Sequence, residues 1–454
     1  MEIGRNILII GAGKSGIAAC NLLAEEASES KLVLYDADPA KPEDDLRSKL
    51  SAAFSGEIIL GDFPEELYER TDLVVISPGV PTDLPMVQRL RGNNIPIWGE
   101  VELAYRYSRG KLVAVTGTNG KTTTTALTGE IMKQAFPNVE VAGNIGIPYT
   151  EIVKQTTDDG VTVAEMSSFQ LESIEEFHPN VSVILNITPD HLNRHHTMEA
   201  YAEAKFNIAR NQTPSEVCVL NYEDERLRAM SANLQTKILW FSSGRVLKRG
   251  LYLRGDKICY NDGMNEIEVI DVHEMNIIGR HNYENAMAAI AAGIALSVPM
   301  DRIREALRTF VAVAHRIEYT ATKNGVVYYN DSKGTNPDAS IQAVRAMDRK
   351  TILIGGGYDK GSEYDTWIRE FPGKVRTLLL MGQTADKIEA TARSMGFTDI
   401  IRVNSMQEAV EYAHAIAKPG EAVLLSPCCA SWGMFKNYEE RGDLFKALVR
   451  ALPD

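Results

Sequence analysis

The chain has 454 residues, of which 44% are hydrophobic and 24% charged, and its formal net charge is −13. This length exceeds what one hydrophobic core supports, so we expect two to four globular domains. The acidic balance disfavours binding to nucleic acid or to an anionic membrane surface. No run of 18 apolar residues occurs, so we expect no membrane span. Five scattered cysteines without a CxxC spacing are typical of a cytoplasmic protein.

The first part of the chain, up to about residue 106, predicts a small parallel sheet. Its apolar runs lie at residues 6–10, 31–35 and 72–76. The first run is followed by Gly11-Ala12-Gly13-Lys14-Ser15-Gly16. Asp36, twenty residues after Gly16, ends the second strand. This spacing is typical of a loop that places a pyrophosphate at a helix N-terminus, with an acid on a ribose. An NAD enzyme and an enzyme with a nucleotide-linked substrate both fit, and Ser77-Pro78-Gly79 adds a turn at the same sheet edge.

The rest of the chain predicts two further α/β units. The second has buried runs at 112–116, 161–164 and 181–185 and a helix over 281–296. Between about 236 and 272 it has short β segments with a turn at 261–263, which we expect to form a small antiparallel addition to the central sheet. The third begins near residue 315 and has strands at 326–330, 351–354, 377–381 and 422–425. Alternating strands and helices favour parallel sheets with ligands at the strand carboxyl ends. We predict three consecutive α/β domains, namely a Rossmann-like domain at 1–106, a P-loop-type ATPase domain at 107–312 and a second Rossmann-like domain at 313–454.

A second glycine loop opens the central unit. Gly117-Thr118-Asn119-Gly120-Lys121-Thr122 lies between a buried strand and a helix predicted over 122–132. Successive N–H groups of such a loop can face one anion at the positive end of the helix. Lys121 would contact terminal phosphates, and the Thr122 hydroxyl can bind Mg²⁺. The general P-loop pattern is incomplete, because Val115 stands at its first glycine position.

Polar residues after the next strands are candidate metal ligands. Glu165 ends the strand at 161–164, and His191 follows the strand at 181–185. A carboxylate there can bind Mg²⁺, although a surface glutamate and a helix-cap histidine are the alternatives. Lys205 lies in a helical stretch and would be a surface lysine by spacing alone. We expect His195 and His196 to face solvent.

Two asparagines near the start of the helix at 281–296 are candidate adenine ligands. Asn282 and Asn285 are three residues apart, so they share one helix face. Asparagine at a helix start is also a common cap, and that alternative stays open.

Taken together, these motifs resemble the Mur ligase family, the ATP-dependent amide ligases of bacterial cell-wall assembly. The resemblance covers nearly the whole chain in the family's order, and Val115 is no anomaly within it. It depends on Gly117-Thr118-Asn119-Gly120-Lys121-Thr122-Thr123, Glu165-Met166-Ser167-Ser168-Phe169-Gln170, Asp190-His191, His281-Asn282-Tyr283-Glu284-Asn285-Ala286, His315-Arg316-Ile317-Glu318 and Asn330-Asp331-Ser332-Lys333-Gly334-Thr335-Asn336.

Within the family, the chain is similar to the branch that joins D-glutamate to UDP-N-acetylmuramoyl-L-alanine. The N-terminal loop, Ser77-Pro78-Gly79 and the stretch Leu425-Ser426-Pro427-Cys428-Cys429-Ala430-Ser431 with Phe435 and Arg441-Gly442 carry this likeness. It implies a cytoplasmic enzyme, expected to be a monomer, with ATP, D-glutamate and the UDP-linked acceptor as substrates and two Mg²⁺ ions.

The resemblance also implies roles for individual residues. Lys121, Glu165, His191 and Lys205 would be catalytic, with Lys205 carrying CO₂ as a carbamate, and Thr122, Glu165, His191 and Lys205 would bind Mg²⁺. ATP would bind to Thr118, Asn119, Gly120, Lys121, Thr122, Thr123, Asn282, Asn285, Arg316 and Asp331. The UDP substrate would bind to Ser15, Ser77, Gly79 and Asn144, and D-glutamate to Lys333, Thr335, Lys360, Ser431 and Tyr438.

Four residues depart from the family's pattern. Ala37-Asp38 stands where better-known members have Thr-Arg near the uridine, Gly433 replaces an aspartate, and Tyr438 replaces a phenylalanine. We expect the reaction to survive these changes, while the contacts to uracil and to the amino acid differ.

Overall fold

The computed structural model describes residues 4–144, 146–311 and 313–454. The chain divides into two compact units, one formed by Met1–Ile270 with Glu284–Leu307 and the other by Asp271–Tyr283 with Arg308–Asp454. The first unit contains two sheets and the second contains one. The three sheets correspond to the three predicted α/β domains. The predicted domain limits stay predictions, because the N-terminal and central sheets fall in one unit.

The N-terminal sheet has five parallel strands in the order β3-β2-β1-β4-β5. Its central strands are buried aliphatic runs, as expected for a sheet covered on both faces. The strands are β1 Asn6–Ile10, β2 Lys31–Asp36, β3 Glu57–Leu60, β4 Leu73–Ile76 and β5 Ile97–Gly99, and the helices are α1 Lys14–Glu26, α2 Glu43–Lys49, α3 Leu67–Arg70, α4 Pro85–Gly92 and α5 Glu100–Tyr107.

The central sheet has nine strands in the order β14-β13-β12-β11-β10-β9-β6-β8-β7. Its strands are β6 Lys111–Thr116, β7 Val139–Gly143, β8 Val161–Glu165, β9 Val181–Ile184, β10 Val217–Asn221, β11 Lys237–Ser242, β12 Gly250–Arg254, β13 Lys257–Asn261 and β14 Glu266–Asp271. The accompanying helices are α6 Lys121–Lys133, α7 Tyr149–Ile152, α8 Ser168–Leu171, α9 Leu192–His195, α10 Met198–Phe206, α11 Glu225–Ser231, α12 Arg280–Ala295 and α13 Met300–Thr309.

Pairing in the central sheet confirms the predicted antiparallel addition in part. β12 and β13 pair antiparallel, and the turn at 261–263 follows β13, but β11 and β12 pair parallel. In the parallel part, Glu165 at the end of β8 lies in register with Val115 of β6 and Gly143 of β7. The carboxyl ends of three strands therefore meet at one edge of the sheet, where ligands of α/β folds bind.

The sheet of the second unit has six strands in the order β15-β16-β20-β17-β18-β19, of which only the pair β15 and β16 is antiparallel. The strands are β15 Glu318–Lys323, β16 Val326–Asn330, β17 Thr351–Gly355, β18 Val375–Leu380, β19 Ile400–Arg402 and β20 Ala422–Leu425. The helices are α14 Pro337–Ala346, α15 Asp365–Ile368, α16 Ala385–Ser394, α17 Met406–Ile416 and α18 Tyr438–Ala451.

Two expectations from composition concern the whole chain. All five cysteines are free and buried, which agrees with the absence of a disulfide pattern. Among the described residues, none of the helices combines the length and the apolar character needed to cross a bilayer.

Candidate active site

The central glycine loop connects β6 to α6 with two glycines in conformations that other residues rarely adopt. Gly117 has φ +151° and Gly120, the N-cap of α6, has φ +88°. A Cβ on Gly120 would lie 2.2 Å from Oδ1 of Asn285, and one on Gly117 would lie 2.9 Å from Cβ of Leu185. Both glycines are therefore required by close packing as well as by backbone conformation.

The loop is braced by residues that the sequence analysis did not single out. Asn186 Oδ1 accepts from Asn119 N at 2.8 Å, and Asn186 Nδ2 donates to Asn119 O at 3.1 Å. Thr118 Oγ1 lies 3.1 Å from the Tyr201 hydroxyl and donates to Thr188 O at the same distance. Paired amide hydrogen bonds of this kind preorganise a phosphate-binding loop, which lowers the entropic cost of ordering the loop when a ligand binds.

Two lysines converge on one carbonyl oxygen of this loop. Lys121 Nζ donates to the carbonyls of Gly117 and Thr118, both at 2.9 Å, and Lys205 Nζ donates to Gly117 O at 2.9 Å. Lys205 is only 2% exposed, so the surface position expected from spacing alone is wrong. The sequence contains a signal for its burial, because Tyr201 four residues earlier places an aromatic ring 4.7 Å from the amine.

The environment of Lys205 favours an uncharged amine. Burial, followed by the positive charge of Lys121, holds the pKa of Lys205 well below its ordinary value, while Asp190 and Glu165 act in the opposite direction. The charges of Lys121, Asp190 and Glu165 thus all lie close enough to act on the Lys205 amine. An unprotonated lysine is a nucleophile, and buried lysines serve this role in enzymes.

Glu165 ends β8 at the same edge and is 2% exposed. Its Oε1 accepts from Asn144 Nδ2 at 3.0 Å, and Asn144 N donates to the Glu165 carbonyl at 2.8 Å. Just beyond the strand, Ser167 and Gln170 form a reciprocal capping box at the start of α8. The carboxylate is therefore held by a defined partner, and Asn144, predicted to bind the UDP substrate, contacts Glu165.

His191 lies at the start of the single-turn helix α9 in a left-handed conformation, with φ 53°. Its side chain is half-exposed, lies 3.5 Å from Asp190, and its ring is 4.9 Å from that of Phe169. His195 at the end of the turn is buried, with 7% exposure, so the expectation that it faces solvent is wrong. His196 does face solvent, as expected, because the turn ends there.

The N-terminal glycine loop has a different set of contacts. Gly11 has φ +98°, and Ser77 Oγ donates to its carbonyl at 2.9 Å. Asp36 Oδ2 accepts from Ala12 N at 2.7 Å and pairs with Lys41, so this carboxylate stabilises the loop backbone. The ribose contact expected from its spacing stays a prediction. Ser15 and Gly79 lie at the same edge, and Gly79 is exposed.

The asparagines of α12 lie where their spacing places them, on one face of the helix. Both are buried, and Asn282 Nδ2 donates to Ile278 O at 2.8 Å. Asn285 packs against Gly120 of the phosphate loop. Their predicted contact with adenine stays a prediction.

In the second unit, Arg316 and Asp331 lie close together. Asp331 is 2% exposed; Ser426 Oγ donates to it at 2.7 Å and Ile317 N at 3.3 Å. Burial raises the pKa of Asp331 to about 7, against the lowering effect of Arg316. Arg316 Nε is buried and donates to no acceptor among the described residues, which leaves a donor available for an anion.

The predicted D-glutamate ligands fall into two groups in this unit. Lys333 Nζ lies 5.6 Å from the ring centre of Tyr438, and Thr335 N donates to Lys333 O at 2.9 Å. Lys360 is exposed and lies 4.6 Å from the ring centre of Trp432, next to the buried Ser431. Sequence analysis missed Trp432, whose ring is half-exposed beside a cation.

The donor chemistry at the central sheet edge fits magnesium. Thr122 and Glu165 offer hydroxyl and carboxylate oxygens, which are the ligands that Mg²⁺ prefers. Within the described ranges, no group of three or more His, Cys, Asp or Glu side chains could hold a metal ion unaided. The remaining ligands would be phosphate oxygens and water, as is usual for Mg²⁺ in nucleotide sites.

Three family models match consecutive parts of the chain. They are the Mur ligase MurD-like N-terminal domain at residues 5–99, the Mur ligase middle domain at 115–293 and the Mur ligase glutamate ligase domain at 315–429.

Curated relatives match over the full length. The chain is 59% identical to the UDP-N-acetylmuramoylalanine--D-glutamate ligase of Lachnoclostridium phytofermentans, over 100% of this chain and 99% of that protein. It is 52% identical to the ligase of the same name from Lachnospira eligens, over 99% of both chains.

Solved structures support the same fold. MurF ligase from Thermotoga maritima in complex with ADP is 17% identical with a TM-score of 0.59, covering 92% of this chain and 95% of that one. MurC from the same organism is 19% identical with a TM-score of 0.58, covering 98% and 99%.

Proposed function

The chain belongs to the Mur ligase family, and we propose that it joins D-glutamate to UDP-N-acetylmuramoyl-L-alanine with conversion of ATP to ADP, in peptidoglycan precursor synthesis. Relatives with the corresponding name match at 59% and 52% identity over essentially the whole chain. The structural observation that carries the proposal is the meeting of two lysine amines at the Gly117 carbonyl, beside the buried Glu165.

The first step transfers the γ-phosphoryl group of ATP to the carboxylate of the acceptor's alanine. The resulting acyl phosphate has a good leaving group, which an ordinary carboxylate lacks. Negative charge on the transferred group requires fixed positive charge and N–H donors, and the loop from Gly117 to Thr122 supplies both. Lys121 would exchange its bonds to the loop carbonyls for bonds to the β- and γ-phosphates. Thr118, Asn119, Gly120 and Thr123 complete the proposed loop contacts.

In the second step the amine of D-glutamate attacks the acyl carbon and phosphate leaves. The amine must lose its ammonium proton before it can attack, and bulk water must be kept from the acyl phosphate. Lys333, Thr335, Lys360, Ser431 and Tyr438 would bind the two carboxylates and the backbone of the amino acid. The lysines match the double negative charge of this substrate.

Lys205 is proposed to carry a carbamate. Its unprotonated amine would add to the carbon of CO₂, the new N–C bond forming as one C–O π bond breaks, and a proton would leave to solvent. The product is an anionic group in place of a neutral amine. Burial and the nearby Lys121 support this step, because both favour the neutral amine.

Two magnesium ions are proposed at this edge. Thr122 and Glu165 would hold one, and His191 with carbamylated Lys205 would hold the other. Bound there, magnesium would supply positive charge that offsets the negative charge developing on the phosphate oxygens. Asn144 would fix the orientation of Glu165 through its amide.

The remaining contacts are assigned by position in the family. Ser15, Ser77, Gly79 and Asn144 would contact the UDP substrate. Elsewhere, Asn282 and Asn285 would contact adenine, and Arg316 and Asp331 would contact phosphate and ribose. The buried Nε donor of Arg316 and the buried acid beside it suit a polar ligand.

ADP release by the purified full chain tests the proposed function. With ATP, Mg²⁺ and UDP-N-acetylmuramoyl-L-alanine present, we expect ADP formation with D-glutamate and none above background with L-glutamate or L-lysine. Mass spectrometry should then find the acceptor heavier by one glutamyl residue. Equal rates with all three amino acids, or no ADP with any of them, would refute the assignment. A cytoplasmic, monomeric enzyme is proposed, and sedimentation of the purified chain checks the second point.

A further inference from the structure

A buried histidine, His195, lies at the centre of the contacts around α9. Its side chain is 4% exposed. Nε2 lies 2.9 Å from Ser168 Oγ, and Nδ1 lies 3.4 Å from Glu172 Oε1. The ring stacks on the Phe169 ring with centroids 5.4 Å apart, and it packs tilted against the Tyr201 ring with centroids 5.2 Å apart. One imidazole thus joins the segment after β8 to the helix α10.

The two aromatic neighbours of His195 reach the proposed metal ligands directly. The Phe169 ring meets the ring of His191 edge to face, with centroids 4.9 Å apart. The Tyr201 ring lies 4.7 Å from Lys205 Nζ. His195 therefore supports one side of each residue proposed to bind the second cation.

His195 also closes the turn that presents His191. Its backbone N donates to the carbonyl of His191 at 3.1 Å. His191 has φ 53°, a left-handed conformation that costs free energy in a non-glycine residue and persists only where its surroundings impose it. The His191 side chain is half-exposed, and its contacts besides this turn are the Phe169 ring and the Asp190 carboxylate, whose Oδ2 lies 3.5 Å from Nε2.

We propose that His195 is a positioning residue, which holds His191 and Lys205 in the arrangement that binds the second divalent cation. The inference rests on the proposed two-metal site and concerns a residue outside it. A neutral imidazole can donate through one nitrogen and accept through the other, so it can satisfy Ser168 and Glu172 together while its faces pack on two rings. No other uncharged side chain combines these contacts.

The next residue provides a matched control. His196 has a side chain that is 71% exposed, and its Nε2 lies 3.8 Å from Asp83 Oδ2. It has the same chemistry and a neighbouring backbone position, but no ring contact to Phe169 or Tyr201 is found for it within the described residues. A non-specific effect of changing a histidine in this segment would appear in both variants.

The test counts bound Mn²⁺ by electron paramagnetic resonance on the full chain, with a non-hydrolysable ATP analogue and UDP-N-acetylmuramoyl-L-alanine. We expect two Mn²⁺ per wild-type chain. In H195A the affinity of the weaker Mn²⁺ should fall about 10- to 100-fold, the range for loss of groups that orient metal ligands, while the tighter Mn²⁺ is unchanged. H196Q should bind both ions as the wild type does.

Kinetics provide a second readout. For H195A we expect a lower kcat that rises again with added Mg²⁺. The KM for ATP should stay within about threefold of wild type, because the contacts that bind ATP equally in the ground state and the transition state are unchanged. H195Q, which can still bond to Ser168, and H195F, which keeps the stacking, should each restore part of the Mn²⁺ affinity. If H195A shows no cooperative thermal unfolding, and is therefore not folded, Mn²⁺ binding by H195Q is compared with wild type and H196Q instead.

Three results would overturn the inference. They are a wild type that binds fewer than two Mn²⁺, a weaker site unchanged within twofold in both H195A and H195Q, and an equal loss in H196Q. The proposed function fails separately, if the wild type releases no ADP with D-glutamate, and the Mn²⁺ counts do not depend on that outcome.

Discussion

The molecule contains two glycine loops built on the same local plan. The first joins β1 to α1 and the second joins β6 to α6, and each needs a glycine with positive φ, Gly11 at +98° and Gly120 at +88°. In each case the N-terminus of a helix lies at the carboxyl ends of parallel strands. From backbone geometry alone, either loop could bind a phosphate group.

The side chains around the two loops separate their roles. Around the first loop, Asp36 accepts from Ala12 N and Ser77 donates to the Gly11 carbonyl, so acid and hydroxyl brace the backbone. Around the second, Lys121 and Lys205 both donate to the Gly117 carbonyl. Glycines set the shape of an anion-binding loop, while the neighbouring charges decide whether it binds a substrate or takes part in the chemistry.

The largest expected effect is that of removing the charge from the second loop. Lys121→Ala should lower kcat by about 10²–10³, because one preorganised contact to the transferred phosphoryl group is lost. Lys133→Ala, at the exposed far end of α6, should keep wild-type kcat. In the first loop, Ser15→Ala should raise KM for the UDP substrate with kcat within threefold. Steady-state ADP release measures all three, and near-normal turnover by Lys121→Ala would contradict the comparison.

Replacement of Lys205 should also lower kcat strongly, but small carboxylates should restore part of the activity. Lys205→Ala should lower kcat by about 10² and recover in part when formate or acetate is added, because a small carboxylate can occupy the place of the carbamate. When the carbamate of the wild type has been trapped chemically, mass spectrometry should find an added mass of about 44 Da, that of one CO₂, on Lys205. No recovery together with no added mass would remove the carbamate from the account.

In the first loop, close packing predicts a strong contrast between two glycines. A Cβ on Gly16 would lie 1.8 Å from the Gly11 carbonyl oxygen, whereas one on Gly13 meets nothing within 4 Å. Gly16→Ala should therefore destabilise the protein by about 2–3 kcal/mol and raise KM for the UDP substrate. Gly13→Ala, with ordinary backbone geometry at this position, should change the stability little. Thermal unfolding of both variants measures this contrast, and equal losses of stability would contradict the close approach of Gly16 to the Gly11 carbonyl.

The smallest expected effect concerns the acid of the first loop. Burial raises the pKa of Asp36, but hydrogen bonds from Lys41 and Ala12 outweigh it, so the pKa lies below the ordinary value of an aspartate. The ionised form therefore stabilises the fold at pH above that ordinary value, and this contribution is lost as pH falls through the lower folded-state pKa. Asp36→Asn should lower the melting temperature at pH 7 by about 2–4 °C, and the difference from wild type should shrink in acid. A difference that does not depend on pH would mean that the charge is not what braces the loop.

Local patterns predicted much of this fold, because the buried strands and glycine loops depend on neighbours in sequence. The helix expected over 122–132 is found at 121–133, and that expected over 281–296 at 280–295. Short strands such as β3 and β5 were not predicted, since four or three residues carry too little periodicity and depend on pairing with distant strands.

The candidate site was predictable where a residue directly follows a strand, as Glu165 does. It was not predictable where burial depends on another element. His195 and His196 are adjacent and chemically identical, yet only His195 lies against Phe169 and Tyr201 among the contacts of the described residues. Asn186 follows β9 and braces the phosphate loop that follows the neighbouring strand β6, a contact that no sequence spacing indicates.

Transfer of oxygen from the acceptor to phosphate tests the central claim most directly. The claim is that the second glycine loop drives formation of an acyl phosphate. With both carboxylate oxygens of the acceptor's alanine labelled with ¹⁸O, each turnover with D-glutamate should release phosphate that carries one ¹⁸O atom, because phosphate leaves with the oxygen that attacked ATP. Mass spectrometry of the phosphate reads this out. Product formed with unlabelled phosphate would contradict the account.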